Sequence, residues 1–321
     1  MLTTLFAIAK NAFTESIRQP VYVVLLLGTQ FLLAFNVSIA AFTFWDDDKL
    51  LTDMGLSTIF LAGLFLAAFT ATGVFSREIQ NQTVLTVVSK PVSRPVFVLG
   101  KYLGVVAALA VACLIWGAVF LLTIRHQVLI AAYQDVDLPV VIFGSLALLI
   151  AMGVALWCNY FYGWIFASTL TLVELPLMLL AFVLVMGIGK DWSVQSLGTD
   201  LNVQLVIALF LLFQALAVLS AVALATSVRL GQTMTLVLSV AFFFLGLSND
   251  YLFGRFADES ILAAGMHALL PNLQIFWMAD ALTQGHEISG SYLLYASGYA
   301  VVYSVAALGV AVALFQTREV G

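Results

Sequence analysis

Eight apolar stretches, separated by short charged breaks, divide this chain. About 20 apolar residues are needed to carry a helix across the roughly 30 Å hydrocarbon core of a bilayer. The stretches 20–44, 55–75, 98–124, 138–158, 163–188, 202–227, 232–253 and 291–315 meet that length or come close to it. The sequence therefore predicts an all-α fold: a polytopic membrane helix bundle of about eight spans (six to eight). Composition agrees. With 63% hydrophobic and 9% charged residues, and a mean hydropathy of +1.10, a pair of soluble domains is excluded and residues 1–321 read as one transmembrane domain. A net charge of −5 leaves no basic face for nucleic acid.

An even number of spans places both termini on one side. That side would hold Lys10, Arg18, Arg77, Lys90, Arg94, Lys101, Arg229 and Arg318, eight of the twelve basic residues, while Lys49, Arg125, Lys190 and Arg255 fall opposite with thirteen of the seventeen acids. Basic residues accumulate in cytoplasmic loops, so both termini are expected in the cytoplasm and the chain in a plasma (bacterial inner) membrane. The acidic external face reads most simply as a solvated rim. Cys113 and Cys158 sit in apolar surroundings far apart in sequence, as small core residues rather than as a disulfide.

Residues 1–19 carry Lys10, Asn11, Glu15 and Arg18 where a cleavable signal peptide would need an unbroken apolar core. Leu2, Leu5, Phe6, Ala9, Phe13 and Ile17 recur at helical spacing opposite a polar face. Such a segment is expected to lie as an amphipathic helix in the cytoplasmic interface, with Pro20 breaking it and opening the first span; a plain first turn of a longer span is the other reading. Between the second and third spans lies the one sizeable cytoplasmic segment, 76–97. With Lys101 just beyond it, it carries half of the cytoplasmic basic charge. Arg77 to Ser89 can form a short helix ending before Pro91, and Pro95 would make Lys90–Arg94 a stiff elbow. By composition alone this is equally a loop of the positive-inside kind.

A glutamate after the second span (Glu78) is followed five residues on by Thr83, then by Ser-Lys-Pro-Val-Ser-Arg (89–94) and by Leu-Gly-Lys-Tyr-Leu-Gly (99–104) entering the third span. With the N-terminal helix leading into Pro20, the stretch Leu-Leu-Pro-Asn-Leu-Gln-Ile-Phe (269–276) and the terminal Leu-Phe-Gln-Thr-Arg-Glu-Val, this pattern resembles the permease subunits of ABC transporters of the type-2 exporter class. The resemblance implies a permease that dimerises, as a homodimer or with a related permease, and docks a separate ATP-binding subunit. ATP and magnesium would be bound by that partner and no cofactor by this chain. Carried over, the helix after the second span is the coupling element, and Arg77, Glu78, Thr83, Lys90, Pro91, Arg94, Gly100 and Lys101 would form or brace the contact. The family usually has six spans; the additional pair here would lie between 138 and 188. It also places short re-entrant or interfacial helices in the external loop before the last span. Residues 254–290 fit that description, with two apolar arms around Pro271-Asn272, each too short to span alone.

The chain has no phosphate loop: Pro95 stands where Gly100-Lys101 would need an upstream glycine, and Tyr102 replaces the hydroxyl that would hold magnesium. His126, His267 and His286 lack metal-ligand spacing, so no metal site and no catalytic residues are expected, and the chain reads as a non-enzyme. Glu174, in Leu-Val-Glu-Leu-Pro, is the charged residue placed well inside a span. It should face the bundle interior or a cavity, either in a substrate or gating path or as plain bundle polarity, with Pro176 opening a kink nearby. Gly117, Gly144, Gly153, Gly163 and Gly187 are expected to permit close helix packing. An ion-coupled secondary transporter and a non-transporting assembly protein are the competing readings.

Overall fold

The computed structural model of the chain describes residues 2–41, 47–80, 93–128 and 136–316, with backbone alone for 75–80. Within these residues the protein is a bundle of helices: α1 (Leu2–Ile17), α2 (Pro20–Ala40), α3 (Asp47–Gln80), α4 (Arg94–His126), α5 (Leu138–Tyr162), α6 (Phe166–Gly187), α7 (Val203–Ser227), α8 (Gln232–Leu247), α9 (Asn249–Leu252), α10 (Ile261–Leu269), α11 (Ala279–Thr283) and α12 (Gly290–Gln316). Seven of them, α2 to α7 and α12, are long and apolar enough to cross a membrane. Proline opens α2, α4 and α5 within their first turn, where its missing N–H costs nothing. Pro95 thus stands in the first turn of α4, and Lys90 to Val92 of the expected elbow lie outside the described residues. Pro176 lies inside α6, which continues through it.

Three expected spans differ in form. The second and third reach beyond the apolar stretch: α3 has 34 residues and α4 has 33, each about 50 Å long at 1.5 Å per residue. The stretch 232–253 is not one straight helix, because α8 ends at Leu247 and the chain turns by 70° into α9. The first residues of α4 contact α1 and the last turn of α12, so both terminal helices sit at one end of the bundle, hereafter the near end. That geometry requires an even number of crossings. The seven long helices plus α8, about 24 Å long, supply eight.

Inside the bundle α4 is the central element, touching α1, α2, α3, α5, α6, α7 and α12. Because lipid is as apolar as leucine, close packing and interhelical hydrogen bonds hold such helices together. The buried Tyr22 hydroxyl donates to the Ala108 carbonyl at 2.8 Å and the buried Trp116 indole N–H to that of Leu26 at 3.0 Å, joining α2 to α4. Gln214 of α7 donates to Ser297 of α12 at 2.8 Å. The hairpin α5–α6, turned through Gly163 at φ 66°, lies at the periphery and meets the bundle mainly through α6.

The two apolar arms expected around Pro271-Asn272 are present as α10 and as Gln274–Thr283, bent by 46°. Three tyrosines on one face of α12 cage the break. Tyr303 donates to the Leu269 carbonyl and Tyr292 to that of Ile275, both at 2.7 Å, and the Asn272 N–H donates to the Tyr299 oxygen at 2.7 Å. The fully buried Asn249, at the bend after α8, donates to the carbonyls of His267 and Leu270 at 3.1 and 3.0 Å. Asn249→Leu would leave both acceptors without that donor, so a loss of about 1–3 kcal/mol is expected. Thermal unfolding in detergent checks it; an unchanged midpoint would mean that the bend is held by packing alone.

Candidate functional site

At the near end the terminal helices are fastened to the start of α4. Gly100 and Gly104, one turn apart, bring the two backbones together. A Cβ on Gly100 would lie 2.7 Å from Ile8, and one on Gly104 would lie 2.5 Å from both the Ala12 Cβ and the Ala9 carbonyl oxygen. Between them Lys101, 1% exposed, reaches Glu15 at 3.7 Å and lies over the Phe97 ring, 5.6 Å from its centroid. On another side of α4, Phe97 stacks on Phe315 of α12 and the Arg94 guanidinium donates to the Gln316 carbonyl at 2.8 Å. An apolar cluster of Ala12, Val74, Phe97, Val98, Val228 and Phe315 joins α1, α3, α4, α7 and α12 beneath these contacts.

Of the residues expected at a coupling surface, Gly100 and Lys101 are therefore buried against α1, and Arg94 binds the end of α12. They brace the near end from within the chain. Arg77 and Glu78 lie on the last helical residues of α3, while Thr83, Lys90 and Pro91 lie outside the described residues. The spacing Gly-x-x-x-Gly at 100–104 is the sequence signal for this junction, being the pattern that lets two helix backbones approach closely. Among the other glycines expected to pack, Gly117, Gly144 and Gly187 meet their neighbours only at ordinary distance, and nothing lies within 4 Å of a Cβ on Gly153 or Gly163.

Halfway along α6, Glu174 is 0% exposed, and neither carboxyl oxygen has a hydrogen-bond partner among the described residues. Tyr22 and Gln30 of α2 stand beside it; Tyr22 donates to Ala108, and Gln30 points one amide N–H at the Leu26 carbonyl, 3.3 Å away, with the rest of its amide beside the carboxyl.

The far end holds a cluster that no motif announced. Arg125, in the last turn of α4, is 3.3 Å from Asp137 and 3.3 Å from Asp200, and it donates to the Val185 and Ile188 carbonyls where α6 ends. Asp137 caps α5, accepting from the Val140 N–H at 3.3 Å, and is fully buried. This part of the acidic external face is thus interior rather than a solvated rim. A polar cavity of about 530 Å³ opens beside it, lined by Arg125, Lys190, Gln195, Thr199, Asp200 and Asn202 among others. Gln195 closes one wall by donating to Asp200 at 2.7 Å. Arg125 and Asp137 are 12 residues apart and Asp200 is 63 beyond Asp137, so helical periodicity could not associate them. Among the described residues no group of three or more His, Cys, Asp or Glu side chains is placed to hold a metal ion.

The chain is an integral membrane protein. No protein-family model and no curated protein matches it. What it does therefore rests on its own residues and on the geometry just described.

Proposed function

We propose that this chain is the membrane-spanning permease subunit of an ATP-driven ABC transporter, working as a homodimer or with a related permease beside a separate ATP-binding subunit, with export as its direction. The observation that carries this reading is the near-end platform. Helices α3 and α4 both run past the length of a membrane span toward the segment that joins them, and α4 is fastened there to both terminal helices. A partner that pushes on the 76–97 segment would move α1, α4 and α12 together, because their packed contacts deform as a unit rather than residue by residue. The grouping of basic residues supports a cytoplasmic near end: Lys10, Arg18, Arg94, Lys101 and Arg229 lie there, whereas Lys49, Arg125, Lys190 and Arg255 lie on segments at the far end. The ATP and magnesium would belong to the partner.

A pull-down of the chain in mild detergent tests the proposal. An ATP-binding protein is expected to co-purify, and Glu78→Ala is expected to reduce its recovery about tenfold, the effect of losing roughly 1.4 kcal/mol at one contact. Arg94→Ala should act indirectly by freeing the end of α12, with a lower unfolding temperature accompanying any loss of partner. If no ATP-binding protein co-purifies from native membranes under cross-linking, the permease reading is wrong. The ion-coupled transporter would then be favoured, since the buried Glu174 is a feature that such proteins use.

A further inference from the structure

We propose that Glu174 is a proton-binding site within the membrane: the neutral acid while α2 and α6 are closed on each other, and able to exchange its proton only when they part. The inference does not depend on an ATP-binding partner. Its basis is the absence, among the described residues, of a cation or of several donors that would support a charge. Both carboxyl oxygens are buried and without a donor among the described residues. A buried carboxylate is stable only when a cation or several hydrogen bonds replace the water it has lost.

The surrounding elements offer no cation and a single amide. From α2, Tyr22 and Gln30 face the site; the Tyr22 O–H and one Gln30 N–H are directed at backbone carbonyls, and the rest of the Gln30 amide is the one polar group beside the carboxyl, too little to hold a charge. From α4 the titratable neighbour is Cys113, beside Tyr22. From α5, the residues packed with this stretch of α6 are Ala151, Met152 and Ala155, which carry no charge. Helix α1 commits its acid, Glu15, to Lys101. Among the described residues no basic side chain of these helices reaches Glu174, Arg125 of α4 being held at the far end of α6, so a proton is the partner the site can take.

Exchange has a defined route. Contact between α2 and α6 is slight beside that of α6 with α4 or α5, so this seam parts at less cost than either of those. Pro176, two residues on, and Leu172, whose carbonyl it leaves without an N–H, both lie on the exposed face of α6 opposite Glu174, so an entering water reaches the carboxyl through the parted seam itself. On opening, the Glu174 O–H bond breaks, the proton passes to that water and the electron pair stays on the carboxylate. Closing reverses the step.

Infrared spectroscopy of the purified chain in lipid nanodiscs at neutral pH tests this directly. One carboxylic-acid C=O band is expected, lost in Glu174→Gln, and its shift in D2O should lag behind that of amides in the exposed loops. Glu174→Gln, nearly isosteric and uncharged, is expected to unfold at the same temperature as the native chain or higher. An acid region identical in both proteins would overturn the proposal, and so would a deuterium shift complete on mixing, which would mean that no seam controls exchange. Should the variant fail to fold, carboxyl-labelled glutamate in the native chain serves instead. Of the six glutamates, one isotope-shifted acid band is expected, and none would overturn the assignment.

Discussion

Arg125→Met is expected to destabilise the chain by about 3–5 kcal/mol, the cost seen when one member of a buried ion pair is removed and its partner stays behind. Asp137 is fully buried and would keep its charge without a cation beside it. The guanidinium also serves α6, donating to the Val185 and Ile188 carbonyls at the negative end of that helix, so its loss frees the Ile188 carbonyl and leaves that of Val185 with the Ile188 N–H at 3.2 Å. Both effects act on the α5–α6 hairpin, whose other links to the bundle run mainly through one face of α6. The unfolding midpoint should fall by several degrees. Asp137→Asn in the same chain should restore a large part of the loss, because asparagine caps a helix as well as aspartate does and brings no charge. A double variant no more stable than Arg125→Met would show that Arg125 acts through the α6 carbonyls or Asp200 and not through Asp137.

The helices were legible in the sequence because one property, apolar length, decides whether a segment can leave water, and it is carried by each run alone. Helices α5, α6, α7 and α12 accordingly begin and end within about four residues of the expected bounds. Helices α3 and α4 run longer than expected because helical geometry continues past the point where hydropathy stops marking it. The bend at Ser248 depends on Asn249 finding the carbonyls of His267 and Leu270, 18 and 21 residues away, which no local pattern encodes. The same reason explains the glycines. Whether a glycine admits a neighbour depends on what faces it, so Gly153 points at open space while Gly104 meets Ala9 and Ala12. Glu174 was legible, because a carboxylate in an apolar run is costly whatever surrounds it. Its want of a partner could come only from seeing α2 and α4 against it. Arg125 was not, because a basic residue at the end of a span is the ordinary case.

Gly104→Leu tests the junction on which the coupling proposal rests, and it is expected to lift α1 from α4. Two of the three atoms nearest a Cβ at 104 are backbone, the Ala9 carbonyl oxygen at 2.5 Å and the Phe13 nitrogen at 2.8 Å, so no change of rotamer relieves the clash. Overpacking of this kind costs about 1–3 kcal/mol where neighbours can shift. Here the shift carries Glu15 away from Lys101, which is buried and gains nothing in exchange. The movement can be read at Ser16, on the same buried face of α1 and 0% exposed. A Ser16→Cys thiol should react slowly with a polar maleimide in the native background and on the order of tenfold faster beside Gly104→Leu, the ratio that 1.4 kcal/mol of local opening produces. Gly153→Leu, where nothing lies within 4 Å, should leave the rate unchanged. If the permease reading is right, recovery of the ATP-binding partner falls in step with the labelling, because the platform that receives it has come apart. Faster labelling with partner recovery intact would separate the two claims, since α1 would then be packed as described and yet not be part of the docking surface.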